Sequence, residues 1–430
     1  MIFETIFFIK KGIRMNQKYQ NTIKQIYDLV AAEQLRQDQH IELIASENFV
    51  SQQVLALTGS ILTNKYAEGY PNARYYGGCE NIDAIETMAI QLVTEMFDCQ
   101  FANVQPHAGT PANFAVFLAL VPPQGKVLGM DINSGGHLSH GTKVSFSGKL
   151  YQCATYQVNP ETFLLDYDEI ERIALIEKPD LIIAGASNYS RIIDFRRFKD
   201  IANKVGAYLL ADVSHIAGLI VGKQHPNCFP YADVMMTTTH KTLRGPRGAI
   251  LAWNDPKLTK KLNSAVFPGA QGGPLGHVIA AKAAAFAEAL TPEFKDYAAK
   301  IIKNCRAFCQ AFIDKGIQVI TNGTDNHLFT INVLASYHVT ADLVEKWLEA
   351  ANITTNKNTI PFDTQTPRKP SGLRLGVAAM TTKGFNETDF IQVADWIHEI
   401  IISHGDQSKI STIKKAVIDF LATKKQTQIS

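Results

Sequence analysis

The chain has 430 residues, of which 46% are hydrophobic and 19% charged, enough for a large core and for two or three domains, and too apolar for a disordered protein. With 42 basic against 40 acidic side chains the net charge is +2, which argues against nucleic acid or an anionic membrane surface as the main partner. Six scattered cysteines form no C-x-x-C pair and suit a reducing, cytoplasmic compartment, and no apolar run reaches the ~18 residues of a membrane span. The opening MIFETIFFIKKGIRM places its basic residues after the apolar run and has no small-residue cleavage site, so it does not read as a signal peptide. Met15 is the expected start, with 1–14 a dispensable extension.

Apolar residues at helical spacing predict a helix over 19–37, followed by a polar loop, IELIASENFVS. The stretch NKYAEGYPNARYYGG at 64–78 is dense in Gly, Pro, Asn and Tyr and reads as a structured loop. From about residue 82 helices alternate with short apolar strands. A helix (IDAIETMAIQLVTEMF) leads to a strand near ANVQ, the loop HAGTPAN, a helix (FAVFLALV) and the strand KVLGM. Then come YDEIERIALIEK, DLIIAG, RRFKDIANKV and AYLLADV, and two further strands in ADVMMTTT and GAILAW. This alternation predicts an α/β fold with a mainly parallel sheet. Past TPEF, at about 291, longer helices with the strands HLFTINV and LRLGVAA predict a smaller α/β domain. The division expected is a helical arm over 15–65, a large domain over 66–290 and a small domain over 291–430. ISTIKKAVIDFLATKK reads as a surface helix with a basic tail. Cys305 and Cys309, one helical turn apart, read as small helix-face residues.

Ligands of open α/β sheets sit at the carboxyl ends of strands. AYLLADVSH ends in Asp212 and His215, and ADVMMTTTHK ends in His240 and Lys241, so a carboxylate and an amine come to one sheet edge. Pyridoxal phosphate needs such a pair: a lysine for a Schiff base and a carboxylate that keeps the ring nitrogen protonated. Burial beside cations would keep that lysine partly neutral. Many α/β proteins carry such a pair without this chemistry. HAGTPAN offers Gly109, the Thr110 hydroxyl and a helix N-terminus to a phosphate, or is simply a helix start. FPGAQGGP, with Gly272 and Gly273, is a plain loop or a second source of backbone N–H groups. GGHLSHG places His137 and His140 in a glycine-rich loop, where an imidazole can stack on a flat ring. No carboxylate or cysteine stands at ligand spacing, so no metal is expected. Arg374 in SGLRLG suits a substrate carboxylate, and Glu68, between tyrosines in YAEGYP, suits a general acid or base with a raised pKa. A surface arginine and a hydrogen-bonded loop carboxylate are the plain alternatives.

The motifs LIASENF, NKYAEGYPNARYYGG, NVQPH, GGHLSHG, FSGKLY, TTTHKTLRGPRG, LNSAVFPGAQGGP, GTDNHLF, NITTNKN and SGLRLG occur in this order. Together they resemble the serine hydroxymethyltransferases from about residue 20 to about 402. The resemblance implies the fold-type I pyridoxal phosphate architecture of aspartate aminotransferase, with a large mainly parallel-sheet domain and a smaller C-terminal α/β domain. It implies reversible transfer of the serine hydroxymethyl carbon to tetrahydrofolate, the co-substrate, giving glycine and 5,10-methylenetetrahydrofolate. By that resemblance Lys241 carries the Schiff base, with the threonines and His240 shaping its surroundings, and Asp212 pairs with the pyridine nitrogen. His137 stacks on the ring, and His215 and Ser187 lie on its phenolic oxygen side. Gly109 and Thr110 hold the phosphate. Tyr66, Gly272 and Gly273 reach that phosphate from a partner subunit, so a homodimer with shared sites is implied, with a tetramer left open. Ser46 and Arg374 bind the substrate carboxylate. Glu68 and Tyr76 of the partner subunit serve proton transfer, and Ile132, Gly136, His137, Leu138 and Asn358 line the folate site.

Four positions depart from the family pattern. Ala108 replaces a serine of the phosphate loop, Ser134 stands where histidine is common, and Ser214 where alanine is common. Phe362 stands where a polar residue is expected near the folate. A folate-independent aldolase, a transaminase and a degenerate binding paralogue are the rival readings. The motifs running through the whole chain disfavour the transaminase, Asn358 the aldolase, and intact Lys241, Asp212, Arg374 and Glu68 the paralogue.

Overall fold

A computed structural model of the chain describes residues 17–424, so the expected start at Met15 and the extension 1–14 lie outside the described residues. Helix α1 (Gln17–Gln39) has none of its residues buried, although Tyr19, Ile23, Ile26, Tyr27 and Val30 are all large and exposed. The chain then makes a short strand, Ile41–Glu42, parallel to Ile353–Thr354, which ties the N-terminal segment to the C-terminal part.

Helix α2 (Glu80–Phe97) precedes a seven-stranded sheet. Its strands are β1 (Phe101–Asn103), β2 (Lys126–Met130), β3 (Gln152–Tyr156), β4 (Leu181–Ala184), β5 (Tyr208–Asp212), β6 (Val234–Thr238) and β7 (Ala249–Trp253). The spatial order is β1-β7-β6-β5-β4-β2-β3. The pairs from β6 to β3 are parallel, while β7 runs antiparallel to both its neighbours. The sequence reading missed β3, whose QCATY pattern is short and half exposed, as an edge strand's is. Strands β4, β6 and β7 are buried at every position, as expected of a sheet covered by helices on both faces. Alternate residues divide between two cores: Val127, Ile183 and Met236 face one side, Leu128, Ile182 and Met235 the other. Helix α3 (Gly109–Leu120) packs on the first side through Ala112, Val116 and Phe117. It begins at Gly109, so GTPAN, read from sequence as loop, is the first turn of the helix.

Helix α4 (Gly276–Ala289), not anticipated, lies against α2 with Ile279 and Phe286 in the second core. Helix α5 (Pro292–Ile313) follows, burying Cys305 and Cys309. The smaller part has a three-stranded antiparallel sheet, β8 (Leu328–Asn332), β9 (Asn356–Asn358) and β10 (Gly372–Gly376), in the order β8-β10-β9. The last helix, α6 (Gln407–Thr423), buries Ile410, Ile413, Val417 and Leu421. It is amphipathic rather than purely solvated.

Candidate active site

The carboxyl ends of β4, β5 and β6 open onto one cavity of about 340 Å³, lined among others by Asp212, Lys241, His215 and Arg374. Of the residues named from sequence, Ser46, Gly109, Thr110, His137, Ser187 and His240 also line it. Strand ends of a parallel sheet point their free backbone and last side chains the same way, which is why residues far apart in the chain meet here.

Lys241 sits in the turn between β6 and β7. Thr239 and Gly245 close that turn by backbone bonds to Gly248 and Thr239, and Asn48 Nδ2 donates to the Lys241 carbonyl at 3.0 Å. The side chain is 8% exposed. Burial pushes its pKa down to about 8, Arg374 and Arg247 add to the shift, and Asp212 opposes it.

Asp212 ends β5 and is buried. Its Oδ2 accepts from His140 Nε2 at 2.8 Å and Asn113 Nδ2 at 3.1 Å; its Oδ1 accepts from the Ser214 hydroxyl at 2.6 Å. Burial alone would raise its pKa, but the hydrogen bonds from His140 and Ser214 hold it well below the usual carboxylate range. His140 and Asn113 were not assigned roles from sequence. The backbone N–H of His137 points at His140 Nδ1 at 3.4 Å, which leaves the ring proton on Nε2 to face Asp212. The short helical turn at Leu138–His140 sets which histidine of GGHLSHG bonds Asp212. Asn113 stands one turn into α3 from Gly109, a helical spacing that could have flagged it.

Ser214 was noted only as a departure, yet it is a third donor residue to Asp212 and also accepts the Thr238 N–H at 3.1 Å. A hydrogen bond to a charged group contributes about 1.5–3 kcal/mol. Ser214→Ala should therefore destabilise the cofactor-free protein by about 2 kcal/mol at neutral pH, read from denaturant unfolding. Asp212 has a depressed native pKa, so its stabilisation is present above the unfolded value near 3.8 and is lost as pH falls towards the native one. The gap between wild type and variant should narrow only as pH falls through the native-state titration of Asp212, because the unfolded state is common to both. A gap that widens in acid would contradict the assignment.

His137 accepts the Ser139 N–H at Nδ1 (3.1 Å), and burial pushes its pKa down to about 4, so it presents a neutral ring. His215 Nδ1 lies 3.2 Å from His327 Nε2 deeper in the core; burial lowers both, His215 well below its ordinary value and His327 to about 3. Burial also takes His240 to about 3.

Arg374 lies in β10, 8% exposed, with Nε on Asn356 Oδ1 at 3.2 Å and one terminal nitrogen on the Ser187 carbonyl at 2.8 Å. Ser46 reaches the same place because the 43–46 segment runs directly over β10. The Gly376 N–H donates to Leu43 O at 2.8 Å, and a Cβ on Gly376 would lie 2.4 Å from Ala45 Cα. Only glycine permits that approach. Gly109 likewise lets α3 start against β6, since a Cβ there would fall 2.8 Å from the Thr238 methyl. The helix N-cap is Ala108, which makes no side-chain cap bond, so the first N–H groups of α3 are left to a ligand.

Nine expected site residues lie outside this cavity: Ile132, Gly136, Leu138 and Asn358 of the folate set, and five others. Tyr66, Glu68, Tyr76, Gly272 and Gly273 do not line the cavity. They cluster together: the Tyr66 hydroxyl donates to Glu68 Oε1 at 3.2 Å, the Tyr66 and Tyr76 rings meet edge-on at 5.2 Å, and a Cβ on Gly273 would touch the Tyr66 ring. Tyr66 is 56% and Tyr76 48% exposed. Arg74 clamps the loop by donating to the carbonyls on either side of Glu68, those of Ala67 and Gly69. Asn358 lies on β9 opposite Gly372, one pleat from Arg374. Ile132 and Leu138 are exposed and Gly136 is buried in the loop after β2. Phe362 lines a separate surface hollow with Phe163 and Leu334.

The sequence model described as serine hydroxymethyltransferase matches residues 19–397. The chain belongs to the serine hydroxymethyltransferase family. It is 55% identical over 389 residues to the serine hydroxymethyltransferase of Malacoplasma penetrans, covering 90% of this chain and 94% of that one. It is 53% identical over 403 residues to that of Metamycoplasma arthritidis, covering 94% and 96%, and 54% identical over 378 residues to that of Orientia tsutsugamushi, covering 88% of each. As a member of this family the chain is a pyridoxal-phosphate-dependent transferase of the fold-type I class that interconverts serine and glycine, with tetrahydrofolate as the one-carbon acceptor. The cavity fits such a cofactor. A buried ionised carboxylate stands at one end, an amine with a depressed pKa beside it, and an uncapped helix N-terminus supplies donors for a phosphate. The Thr238 hydroxyl, on the cavity wall, has no protein partner.

Proposed function

We propose that serine-to-folate hydroxymethyl transfer occurs at sites shared by two copies of the chain. The observation carrying this is the division of the expected site residues into a set that lines the cavity and a second cluster, around Tyr66 and Glu68, that does not. Helix α1 supports it, since a 23-residue helix with no buried residue leaves its apolar side chains to be covered by another surface. The smallest assembly that completes the site is a homodimer. The three-part division of the chain at 65 and 290 accompanies this reading, as does a cytoplasmic location; among the described residues no helix is long and apolar enough to cross a membrane.

Lys241 would hold the cofactor covalently and Asp212 would face its ring nitrogen. Gly109 and Thr110 would take its phosphate, together with Tyr66, Gly272 and Gly273 of the partner subunit. The bound cofactor supplies an electron sink for the bond broken at the serine side chain. Asp212, kept ionised by His140 and Ser214, would hold a proton on the ring nitrogen. His137 would cover one face of the ring as a neutral imidazole. His215 and Ser187 would lie on the phenolic oxygen side, and His240 would close the wall beside Lys241. Arg374 and Ser46 would grip the substrate carboxylate and so set which bond at the α-carbon lies perpendicular to the ring. Glu68 and Tyr76 of the partner subunit would move the proton of the hydroxymethyl oxygen. Ile132, Gly136 and Leu138, with His137 and Asn358, would place the folate.

Subunit mixing tests the shared site. Lys241→Ala and Glu68→Gln homodimers should each be nearly inactive. Unfolded together and refolded as an equimolar mixture, half of the dimers pair one variant with the other, and each such dimer has one intact site. The mixture should therefore recover about a quarter of wild-type activity. A mixture as inactive as its components would place both residues in the same chain's site and overturn the reading.

A further inference from the structure

Lys282, in α4, is among the largest fully buried side chains, 1% exposed, and no step of the reaction uses it. Its Nζ donates to three backbone carbonyls: Val104 at 2.7 Å, Pro106 at 3.0 Å and Ala249 at 2.9 Å. Three acceptors are fully matched only by the three N–H donors of an ammonium, the form present below a pKa that burial pushes down to about 7 and Glu86 opposes. Room for the head group comes from Gly248, where a Cβ would lie 2.4 Å from Lys282 Cε.

The three carbonyls belong to the roots of two turns that line the cavity. Val104 and Pro106 lead from β1 directly into His107, Ala108 and Gly109. Ala249 ends the turn that carries Lys241 and Arg247. The Pro106 carbonyl also accepts the Ala249 N–H at 3.1 Å, so one oxygen locks the two roots together. Other side chains pin the same segment: Gln271 Nε2 donates to Gln105 O at 2.8 Å and its Oε1 accepts the His107 N–H at 3.2 Å. The Gln105 side chain in turn donates to Glu86 at 2.8 Å. None of these partners brings a positive charge; Lys282 does, on the two strand ends that set the spacing between Gly109 and Lys241.

We infer that Lys282 is a positioning residue for the phosphate end of the cofactor, its ammonium fixing the strand ends from which the Gly109–Thr110 turn and the Lys241 turn both spring. The inference rests on reading Gly109 and Thr110 as the phosphate cup. Both turns must keep their separation for a cofactor anchored at one to reach the other. A loosened root would cost most for a ligand that carries the phosphate.

The test compares equilibrium binding of pyridoxal phosphate and of pyridoxal, which has no phosphate, to cofactor-free protein. Lys282→Met should weaken pyridoxal phosphate by about tenfold or more and pyridoxal by less than about twofold. A structural defect alone would weaken both in parallel, and that result, or no change in either, overturns the inference. Should Lys282→Met fail to fold, Gly248→Ala crowds the same head group and should lower the ratio of the two affinities in the same direction. An unchanged ratio there would also overturn it. Thr110→Val separates the two ideas. If it leaves the ratio intact, the phosphate-cup reading fails and the inference with it. If it lowers the ratio while Lys282→Met does not, only the role of Lys282 fails.

Discussion

Asp212→Asn should lower kcat by roughly 10³-fold while KM for serine changes little, because the substitution keeps the shape of the side chain and removes its charge. The carboxylate is buried among donors: His140 Nε2, Asn113 Nδ2 and the Ser214 hydroxyl and N–H all point at it. That arrangement favours an anion over a neutral acid, and on the proposed reading an anion here would keep a proton on the cofactor's ring nitrogen. An amide presents one oxygen and one NH2 group to the same surroundings. It would clash with a donor on one side and could not hold the proton on the other. On the proposed reading serine would be gripped by Arg374 and Ser46 rather than Asp212, which is why KM is expected to hold. The folded state should survive, since the volume is unchanged, although the loss of a stabilised carboxylate costs stability above the unfolded pKa. Steady-state kinetics with serine and tetrahydrofolate decide this. Retention of more than about a tenth of kcat would mean that the ring nitrogen is protonated without Asp212.

Lys241→Met should abolish covalent attachment of the cofactor and turnover together. The cavity offers no substitute, because Lys241 is its only lysine among the described residues. The wild-type protein makes a sharper claim through pH. Only the neutral amine is a nucleophile. With burial holding the pKa near 8, about one molecule in ten carries it neutral at pH 7. The rate at which cofactor-free protein takes up pyridoxal phosphate covalently should therefore rise about tenfold per pH unit below pH 8 and level off above it. An ordinary solvated lysine would keep accelerating to beyond pH 10. Stopped-flow absorbance from pH 6 to pH 10 distinguishes the two, and a rate still climbing at pH 10 would sink the claim that burial activates Lys241.

Strands β2, β4, β5, β6 and β7 were legible because each is a short, largely apolar run. Motifs at strand ends were legible for the same reason: their position in the chain already says which edge of the sheet they occupy. Lys241, Asp212, His215 and the Gly109–Thr110 turn were found that way. Strand β3 was not, because an edge strand is half exposed and its five residues carry no apolar run. Helix α4 escaped because AAKAAAFAEA is rich in alanine and weakly patterned, and it was left unassigned between two recognised motifs.

Sequence by itself determined the class of chemistry and the family, since these follow from residue type and order along the chain. The tertiary structure decided how those groups are supported. That His140 rather than His137 bonds Asp212 depends on one short turn. That Ser214 is a third donor residue depends on the bend after β5. That Ser46 meets Arg374 depends on a backbone passing over Gly376 with no room for a Cβ. The buried ammonium of Lys282 is the clearest case. In sequence it is one lysine in an alanine-rich helix, and only the convergence of three carbonyls from two distant strand ends makes its charge affordable in the core. Contacts between residues more than a hundred positions apart are set by packing, and no local spacing encodes them.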